Sequence, residues 1–325
     1  MRKPLTIPAR AEGGGMRKLL PGLLRVAMYA TLLCWLAAVV LPMIWVVTNS
    51  ARSSQEIFSN PFGKPWVLFG VPDEFRDKVP DPVEAFVSNY RAAWVKSGFR
   101  QFAWNSVIVT SISLAGILLF GSMASYVLAR FPFRGNRMLY VYFISGLMIP
   151  AQLLLVPLFF EFATLSNWGS ALLRPLGLEF RLHDSLTGLI LIYIALSLPF
   201  TILVLTGFFK SLPAELREAA IMDGCTESRA FWSVMLPLSR AGLVSVAILN
   251  FIGLWNEYLF ALVFVNATEN KTLPLGLASV SITAQYKTDW GLMFAGLVIV
   301  MLPTLAVYLL LQRQLTRGIT VGALK

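Results

Sequence analysis

Six runs of about 20 apolar residues recur along this 325-residue chain, and they restrict its fold more than any other feature. Only 14% of the residues are charged, whereas a soluble domain usually carries about 25%. A helix of about 20 apolar residues crosses a hydrocarbon core, and lipid offers no partner for unpaired backbone groups. We therefore predict an all-α integral membrane protein with six transmembrane helices: Val26–Val47, Trp104–Leu128, Met138–Phe160, Leu186–Phe208, Ala241–Val265 and Trp290–Leu311.

The charges of the connecting segments differ between the two sides of the predicted membrane. With the N-terminus in the cytoplasm, the cytoplasmic segments hold 16 Lys and Arg residues against five acids, and the external segments hold 11 of each. An excess of Lys and Arg marks cytoplasmic loops. We therefore expect a multi-pass protein of the bacterial cytoplasmic (inner) membrane with both termini in the cytoplasm. This asymmetry accounts for the net charge of +10, and no nucleic-acid partner is needed to explain it.

This topology divides the chain into three parts. A cytoplasmic N-terminal segment, 1–25, precedes the transmembrane domain, 26–312, and a cytoplasmic tail, 313–325, follows it. The longest external segment, 48–103, is rich in proline and charge at its middle, and we expect a small irregular lobe with one or two short helices. The sequence VEAFVSNYRAAW, which begins at Val83, has the apolar spacing of a helix.

Few residues are available for catalysis or metal binding. The single histidine, His183, and the two cysteines, Cys34 and Cys225, cannot supply a Cys/His metal cluster or a His-based triad. We interpret His183 and Asp184 as a solvated loop pair. The tail GITVGALK resembles a nucleotide-binding P-loop only faintly, because three residues separate its glycines and no Ser or Thr follows its lysine. We expect no catalytic residue, no metal site and no cofactor bound by this chain.

The cytoplasmic loop 209–240 contains a polar stretch, ELREAAIMDGCTESRAFWSVMLPL, between two apolar runs. Ser211 is a suitable N-cap for a first helix, and Gly224 is a suitable left-handed stop at its end. Thr226 is a suitable cap for a second helix, which Pro237 ends. A helix that lies on lipid headgroups is typically basic and amphipathic, whereas this loop holds four bases and four acids. We therefore expect it to bind a protein partner.

Several stretches of the chain resemble a known family. Glu218-Ala219-Ala220, then Gly224 and the later Val234-Met235-Leu236-Pro237, resemble the EAA loop of ABC importer permeases. Four further stretches are similar to the maltose-type carbohydrate permease family, and in particular to the second, six-span subunit of its pairs: ARFPFRGNR, WNEYLFALVF, TLPLGL and RQLTRGITVGALK. The resemblance covers nearly the whole chain and implies the fold of a type I ABC importer permease. The enlarged 48–103 segment departs from the family pattern.

In that family the EAA loop is the coupling helix, which docks into a groove on the ATPase subunit. The resemblance therefore implies a set of residues that couple to the ATPase: Glu218, Ala219, Ala220, Asp223, Gly224, Leu236 and Pro237. It also implies a heterodimer with a second permease subunit, two ATPase subunits that hold ATP and Mg²⁺, and an external solute-binding protein. Membrane lipid would surround the spans.

Polar and small residues of the predicted fifth span mark a candidate solute path. At 100° per residue, four of them fall within an arc of about 120°: Asn250, Gly253, Asn256 and Glu257. An acid at membrane depth normally faces a bundle interior or water. The same stripe also suits hydrogen-bonded packing between helices, and both interpretations stay open. Gln152 and Ser197, in the third and fourth predicted spans, are weaker candidates.

The residues of this stripe bear on the class of solute. Neutral polar and aromatic linings suit the hydroxyl groups of a sugar, and the spans show no Arg/Lys cluster of the kind that a phosphate favours. We therefore predict import of a mono- or oligosaccharide. The alternatives are another small polar solute, such as glycerol 3-phosphate, and a stand-alone secondary transporter. Such a transporter should show inverted repeats, and we find none in the sequence.

The external segment 266–289 has a short polar tip, NATENKT. In the family resembled, this loop reaches the solute-binding protein, which implies contacts from Asn266, Glu269, Asn270 and Lys271. The following residues, TLPLGLAS, are expected to pack back on the bundle. The alternative is a solvated linker.

Overall fold

The computed structural model describes residues 14–75, 81–176, 181–287 and 289–323, and within these residues it contains helices and no β-strand. The prediction of an all-α protein is confirmed. In chain order the helices are α1 (Gly14–Ser50), α2 (Ser54–Ser59), α3 (Trp66–Phe69), α4 (Pro82–Arg91), α5 (Phe99–Arg130), α6 (Asn136–Ser145), α7 (Leu155–Leu173), α8 (Leu186–Ser211), α9 (Glu215–Met222), α10 (Glu227–Ala230), α11 (Leu236–Leu238), α12 (Arg240–Trp255), α13 (Leu259–Phe264), α14 (Leu273–Lys287) and α15 (Trp290–Ala323).

Four of these helices are long and apolar enough to cross a membrane: α1, α5, α8 and α15. Two bent helix pairs raise the number of candidate spans in the described residues to six if each pair counts as one span. Residues 24–48 of α1 include no buried residue, although Asn49 and Ser50 at its end are buried, and α6 has no buried residue. These two helices therefore present apolar surface to whatever surrounds the chain.

The pairing of α5 with α8 forms the centre of the bundle. Ile117 of α5 and Ile192 of α8 belong to the same buried core cluster. A β-carbon added at Gly121 would lie 2.4 Å from Cγ2 of Thr201, so these helices approach each other too closely for a larger residue at Gly121. Small residues allow such close packing in membrane bundles. Around this pair, α12 and α14 pack on α5, and α15 packs on α1, α12 and α14.

The predicted third span is not one straight helix. The segments Asn136–Met148 and Ala151–Ala171 meet at an angle of 92°. Pro150 explains the break, because proline donates no amide proton and forces the preceding residue out of the helical region. Ile149 accordingly has an extended backbone, with φ −89° and ψ 118°. The prediction of a single helix over Met138–Phe160 is therefore wrong.

The predicted fifth span is also interrupted. The helix α12 has 16 residues, and residues 256–258 are not helical before α13 begins. The Glu257 carboxylate accepts the amide protons of Phe260 at 2.8 Å and Ala261 at 3.2 Å, so it starts a new helix instead of continuing the old one. The prediction of one helix over Ala241–Val265 is wrong for this reason. At its other end α12 forms a 74° bend with the segment Glu227–Leu238.

The segment predicted to be external folds into a lobe of short helices, α2, α3 and α4, which follows the C-terminal end of α1. The helix predicted from Val83 is confirmed as α4, but the lobe holds more helices than the one or two we predicted. The buried Arg52 and Glu56 form an ion pair, with 3.2 Å between Nε and Oε1. Arg52 Nη1 also donates to the Asn60 carbonyl at 3.0 Å, and Glu56 accepts from the Trp66 amide at 2.8 Å.

Burial affects both charges of this ion pair. It lowers the pKa of Arg52, and it raises the pKa of Glu56 from its ordinary value. Both directions disfavour the charged form, so the loss of hydration outweighs the mutual attraction of the two groups. The pair therefore specifies how the lobe folds more than it adds to its stability.

Candidate functional site

The first helix of the cytoplasmic loop, α9, begins without a side-chain cap. The prediction that Ser211 caps it is wrong. Ser211 is still part of α8, and its hydroxyl donates to the Phe208 carbonyl at 2.8 Å. Leu212 and Pro213 then lead the chain into α9.

The end of α9 confirms the predicted stop at Gly224. This residue has φ +83°, and its amide donates to the Ile221 carbonyl at 3.0 Å. The Cys225 amide donates to the Ala220 carbonyl, also at 3.0 Å. These two bonds form the Schellman motif that favours glycine at the left-handed position. The second helix begins as predicted, because Thr226 Oγ1 accepts the Arg229 amide at 3.3 Å.

The predicted coupling residues divide by exposure. Glu218, Ala219, Asp223, Gly224 and Pro237 are exposed, Leu236 is half-buried and Ala220 is buried. The side chain of Ala220 faces inward, where α9 packs on the segment Phe231–Met235. Two apolar side chains of α9, Leu216 and Met222, are also exposed, and Met222 is 87% exposed. We call the exposed part of α9 and its turn the coupling surface: Glu215, Leu216, Glu218, Ala219, Met222, Asp223 and Gly224.

An ion pair that we did not predict joins the two helices of this loop. Arg217 Nε donates to Glu227 Oε2 at 3.1 Å, and a second guanidinium nitrogen donates to the other carboxylate oxygen. The hydrogen bonds to Glu227 raise the pKa of Arg217. The guanidinium also lies 5.0 Å from the centre of the Phe131 ring. Opposite charges ten residues apart, on both sides of a turn, were the signal available in the sequence.

The loop is fastened to the ends of α5 and α8. Arg130 Nη2 donates to the Leu212 carbonyl at 2.6 Å. The Tyr126 ring contacts the rings of Phe131, Phe209 and Phe231, with centroids between 5.0 and 5.7 Å apart. The position of the coupling surface is therefore set by the bundle beneath it.

A cavity of about 290 Å³ lies inside the bundle beside the break in the fifth span. The structure places Asn250, Gly253 and Glu257 in its lining, and it adds the two weaker candidates, Gln152 and Ser197. Leu196, Phe260 and Tyr193 are among the other lining residues, and neither Lys nor Arg is among them. The sequence reasoning missed Tyr193, whose hydroxyl donates to the Glu257 carboxylate.

Asn256 does not share this cavity. It is exposed, and its side-chain amide donates to the Ile252 carbonyl at 2.8 Å and to Thr304 Oγ1 of α15 at 3.2 Å. The 100° rule placed it with Asn250, but the helix ends at Trp255 and the rule no longer applies beyond that residue.

Two of the cavity residues also hold the bundle together. Asn250 Nδ2 donates to Thr201 Oγ1 at 3.1 Å and to the Val246 carbonyl at 3.0 Å. Glu257 is occupied by the Tyr193 hydroxyl and by the first amides of α13. These bonds support the packing interpretation for both side chains, and the path interpretation stays a prediction for the same two residues. The hydrogen bonds of Asn250 with the described residues use Nδ2, and its Oδ1 accepts none from them.

Hydrogen bonds hold the predicted external tip in place, although three of its residues, Asn266, Thr268 and Glu269, are exposed. Asp184 Oδ1 accepts the amides of Asn266 at 2.8 Å and Ala267 at 2.9 Å, and Asn270 Nδ2 donates to the Asp184 carbonyl at 2.8 Å. Asn105 Nδ2 donates to the backbone carbonyls of Glu269 and Lys271, at 2.7 and 2.9 Å.

This arrangement corrects our interpretation of His183 and Asp184 as a solvated loop pair. Asp184 has φ +52°, a left-handed conformation that aspartate tolerates better than most residues, and its carboxylate organises the neighbouring loop. His183 packs edge-on against Phe159, with ring centroids 4.8 Å apart.

Of the four predicted contact residues of the tip, Asn266 and Glu269 are exposed, whereas Asn270 and Lys271 are half-buried. Lys271 Nζ donates to Ser279 Oγ at 2.9 Å. The segment after the tip packs back on the bundle as predicted, with Leu273 and Leu275 buried. It does so as the helix α14, which we did not predict.

Residues 117–321 match the sequence profile of the binding-protein-dependent transport system inner membrane component. The chain belongs to this family. The diacetylchitobiose uptake system permease protein NgcG of Streptomyces coelicolor is 37% identical to it, over 91% of this chain and 88% of the relative. The trehalose transport system permease protein SugB of Mycobacterium tuberculosis is 30% identical, over 88% of this chain and 92% of the relative. The prediction of an ABC importer permease is confirmed.

A solved structure has the same fold as this inner membrane component. It is a bacterial ABC transporter involved in the import of the acidic polysaccharide alginate. The two share a TM-score of 0.65 at 21% identity, over 94% of this chain and 99% of the other.

Proposed function

We propose that this permease passes a neutral sugar across the cytoplasmic membrane in an ATP-driven importer. The names of several relatives support the substrate class, because they are permease proteins for diacetylchitobiose, for trehalose and for starch degradation products. The observation that carries the proposal is the internal cavity, whose polar groups are amides, hydroxyls and a single carboxylate, without a lysine or arginine.

The lining of the cavity supports a sugar over an anionic solute. The free Asn250 carbonyl oxygen, Gln152 and Ser197 offer hydrogen bonds to hydroxyl groups, and the Tyr193 and Phe260 rings offer apolar faces. The Glu257 carboxylate would repel a phosphate. Glycerol 3-phosphate therefore fits this lining less well than an uncharged sugar does.

We infer that ATP is hydrolysed on two separate ATPase subunits, which bind ATP and Mg²⁺, and that the coupling surface docks on one of them. The support is geometric. The surface is exposed, it ends at a defined turn, and the Arg217–Glu227 pair and the Arg130–Leu212 hydrogen bond hold it against the bundle. A docking element needs this rigidity if a movement of the ATPase is to move the spans.

We also infer an external solute-binding protein that contacts the tip through Asn266 and Glu269, its exposed predicted residues. The exposed apolar surfaces of α1 and α6 suit a second permease subunit and membrane lipid. The excess of Lys and Arg in the segments 1–25, 129–137, 209–240 and 312–325 supports an orientation with both termini in the cytoplasm.

The decisive experiment is copurification of the complex followed by ATPase measurements with a panel of sugars presented by its binding protein. We expect an uncharged sugar to stimulate hydrolysis and glycerol 3-phosphate to have no effect. If glycerol 3-phosphate stimulated ATP hydrolysis and no uncharged sugar did, the sugar assignment would be overturned.

A separate measurement tests the orientation. In a variant whose native cysteines are replaced, a cysteine at the exposed Glu269 should react with a membrane-impermeant reagent in spheroplasts, and one at the exposed Arg134 should not. The reverse pattern would invert the topology.

A further inference from the structure

A second cavity, of about 1110 Å³ and largely open to the surface, lies beside the connection between α5 and α6, at the same end of the bundle as the coupling surface. Its lining is the continuous stretch 128–138 with Val141 of α6. Three arginines line it, Arg130, Arg134 and Arg137, and no acidic residue does. This cavity takes no part in the proposed solute path.

The positive charges of this cavity are largely uncompensated. The side chains of Arg134 and Arg137 are exposed, and they form no ion pair or hydrogen bond with the residues that the structure describes. Arg130 donates one hydrogen bond, to the Leu212 carbonyl, and its buried Nε has no partner in the described part of the chain. Arg134 and Arg137 have no counter-ion among the described residues, and Arg130 has only a longer-range attraction to Glu215, so this cavity favours an anionic ligand.

The same cavity has apolar walls that continue along α6. Phe131, Pro132 and Phe133 line it on one side, and Met138 and Val141 line it where α6 begins. Met138 is 80% exposed and Val141 56% exposed. The surface therefore combines a cationic cavity with an adjoining apolar helix, which suits a ligand with an anionic head and apolar tails. An inorganic anion would use only the arginines.

We propose that this cavity binds the headgroup of an anionic glycerophospholipid of the cytoplasmic leaflet, with the acyl chains along α6. The proposal rests on the orientation given above, which places this end of the bundle in the cytoplasm. Basic pockets on the cytoplasmic side of membrane proteins suit such headgroups. Phe131 and Arg130 also contact the loop 209–240 (the coupling loop), through Arg217 and Leu212, so the bound lipid stabilises the base of that loop.

Native mass spectrometry of the full chain, purified in mild detergent, tests this site. The protein is titrated with dioleoylphosphatidylglycerol and, separately, with the zwitterionic dioleoylphosphatidylcholine. We expect tighter binding of phosphatidylglycerol, and we expect R134Q/R137Q to weaken it about thirtyfold because two of three charges are lost. R91Q/K96Q, which removes two exposed basic residues of the external lobe, is the matched control and should bind like the wild type.

Each contrary outcome has a definite meaning. Equal phosphatidylglycerol binding by the wild type and R134Q/R137Q overturns the site, as does equal binding of the two lipids. Displacement of the lipid by millimolar inorganic phosphate shows a plain anion site and overturns the lipid assignment. Lipid binding is read without any transport step, so these results differ from a failure of sugar-stimulated hydrolysis. External labelling at Arg134 would instead refute the orientation.

Discussion

Arg217 and Glu227 face each other across the turn at Gly224 and join the two helices of the coupling loop through a bidentate ion pair. Their side chains are 25% and 44% exposed. Solvent therefore screens the attraction, and such a pair contributes about 0.2–1 kcal/mol. Its main effect is on the relative position of the two helices, since the geometry of two parallel hydrogen bonds admits little variation.

We expect R217Q and E227Q each to lower sugar-stimulated ATPase activity severalfold while membrane insertion is unchanged, because either change releases α10 from α9. The exchanged pair R217E/E227R restores the attraction and should recover part of the activity. ATPase measurements on the reconstituted complex check this. If the exchanged pair is no better than the single variants, the ion pair does not position the loop.

The left-handed turn gives a second prediction. Gly224→Val places a β-branched residue at φ +83°, at a cost on the order of 1–3 kcal/mol, and should abolish uptake while the protein still inserts. No atom lies within 4 Å of the added β-carbon, so the effect comes from backbone strain and not from a clash. Gly70→Val is the control, because Gly70 in the external lobe has φ +85° and equally open surroundings. Normal uptake by Gly224→Val at normal expression would contradict the prediction.

The two asparagines of the fifth span separate the solute path from packing. Asn250→Ala removes a group of the internal cavity and should reduce uptake at least tenfold, whereas Asn256→Ala, outside the cavity, should change it less than twofold. Thr201→Val removes the hydrogen bond between Thr201 and Asn250 but leaves the amide in place. Initial uptake rates of the variants distinguish the two roles. An equal loss of uptake in Asn250→Ala and Thr201→Val would mean that Asn250 acts in packing and not in the solute path.

The external lobe should lose less stability when both charges of its buried ion pair are removed than when only one is removed. Glu56→Ala leaves Arg52 buried without its counter-ion, and we expect a loss of about 3–5 kcal/mol in the stability of the lobe. R52M/E56L removes both charges and should cost less than the single change. Hydrogen exchange of the α2 and α3 amides measures the difference. Equal exchange in the two variants would argue against the effect of burial on these charges.

The support of the external tip gives a fifth prediction. Asp184→Ala removes the acceptor of the Asn266 and Ala267 amides, so the tip loses its fixed position and the affinity for the binding protein should fall severalfold. Asp81→Ala is a fair control, because Asp81 likewise caps backbone at the start of α4, through the Val83 amide, away from the tip. Binding of the labelled solute-binding protein to proteoliposomes checks both variants. An unchanged affinity in Asp184→Ala would mean that the tip makes no contact.

Local chemistry explains which features the sequence predicted well. Gly224 and Thr226 act through the backbone within four residues, so their roles as stop and cap follow from residue type. Hydropathy likewise depends only on neighbouring residues in the sequence, so it located the apolar segments. It could not show where they bend, because Pro150 and Glu257 interrupt helices inside stretches that remain apolar on average.

Long-range contacts explain the rest. The Asp184 carboxylate binds amides more than 80 residues away, and Asn105 binds carbonyls at a still greater separation. No periodicity in a single sequence reports such pairs. Asn256 was placed wrongly for a different reason: the rotation of 100° per residue holds within α12, but this helix ends at Trp255, before Asn256.

The helix α8 joins two features described separately above. Asp184, which holds the external tip, comes directly before its cap Ser185, and its last residue, Ser211, leads into the coupling loop. Its 26 residues span about 39 Å, close to the thickness of a bilayer with its headgroups. A force on the tip and a force on α9 therefore act on opposite ends of one continuous rod. Pro199 lies inside α8 and is the position at which this helix is most easily bent. The stiffness of α8 at Pro199 therefore limits how much of a displacement at one end of the helix reaches the other end.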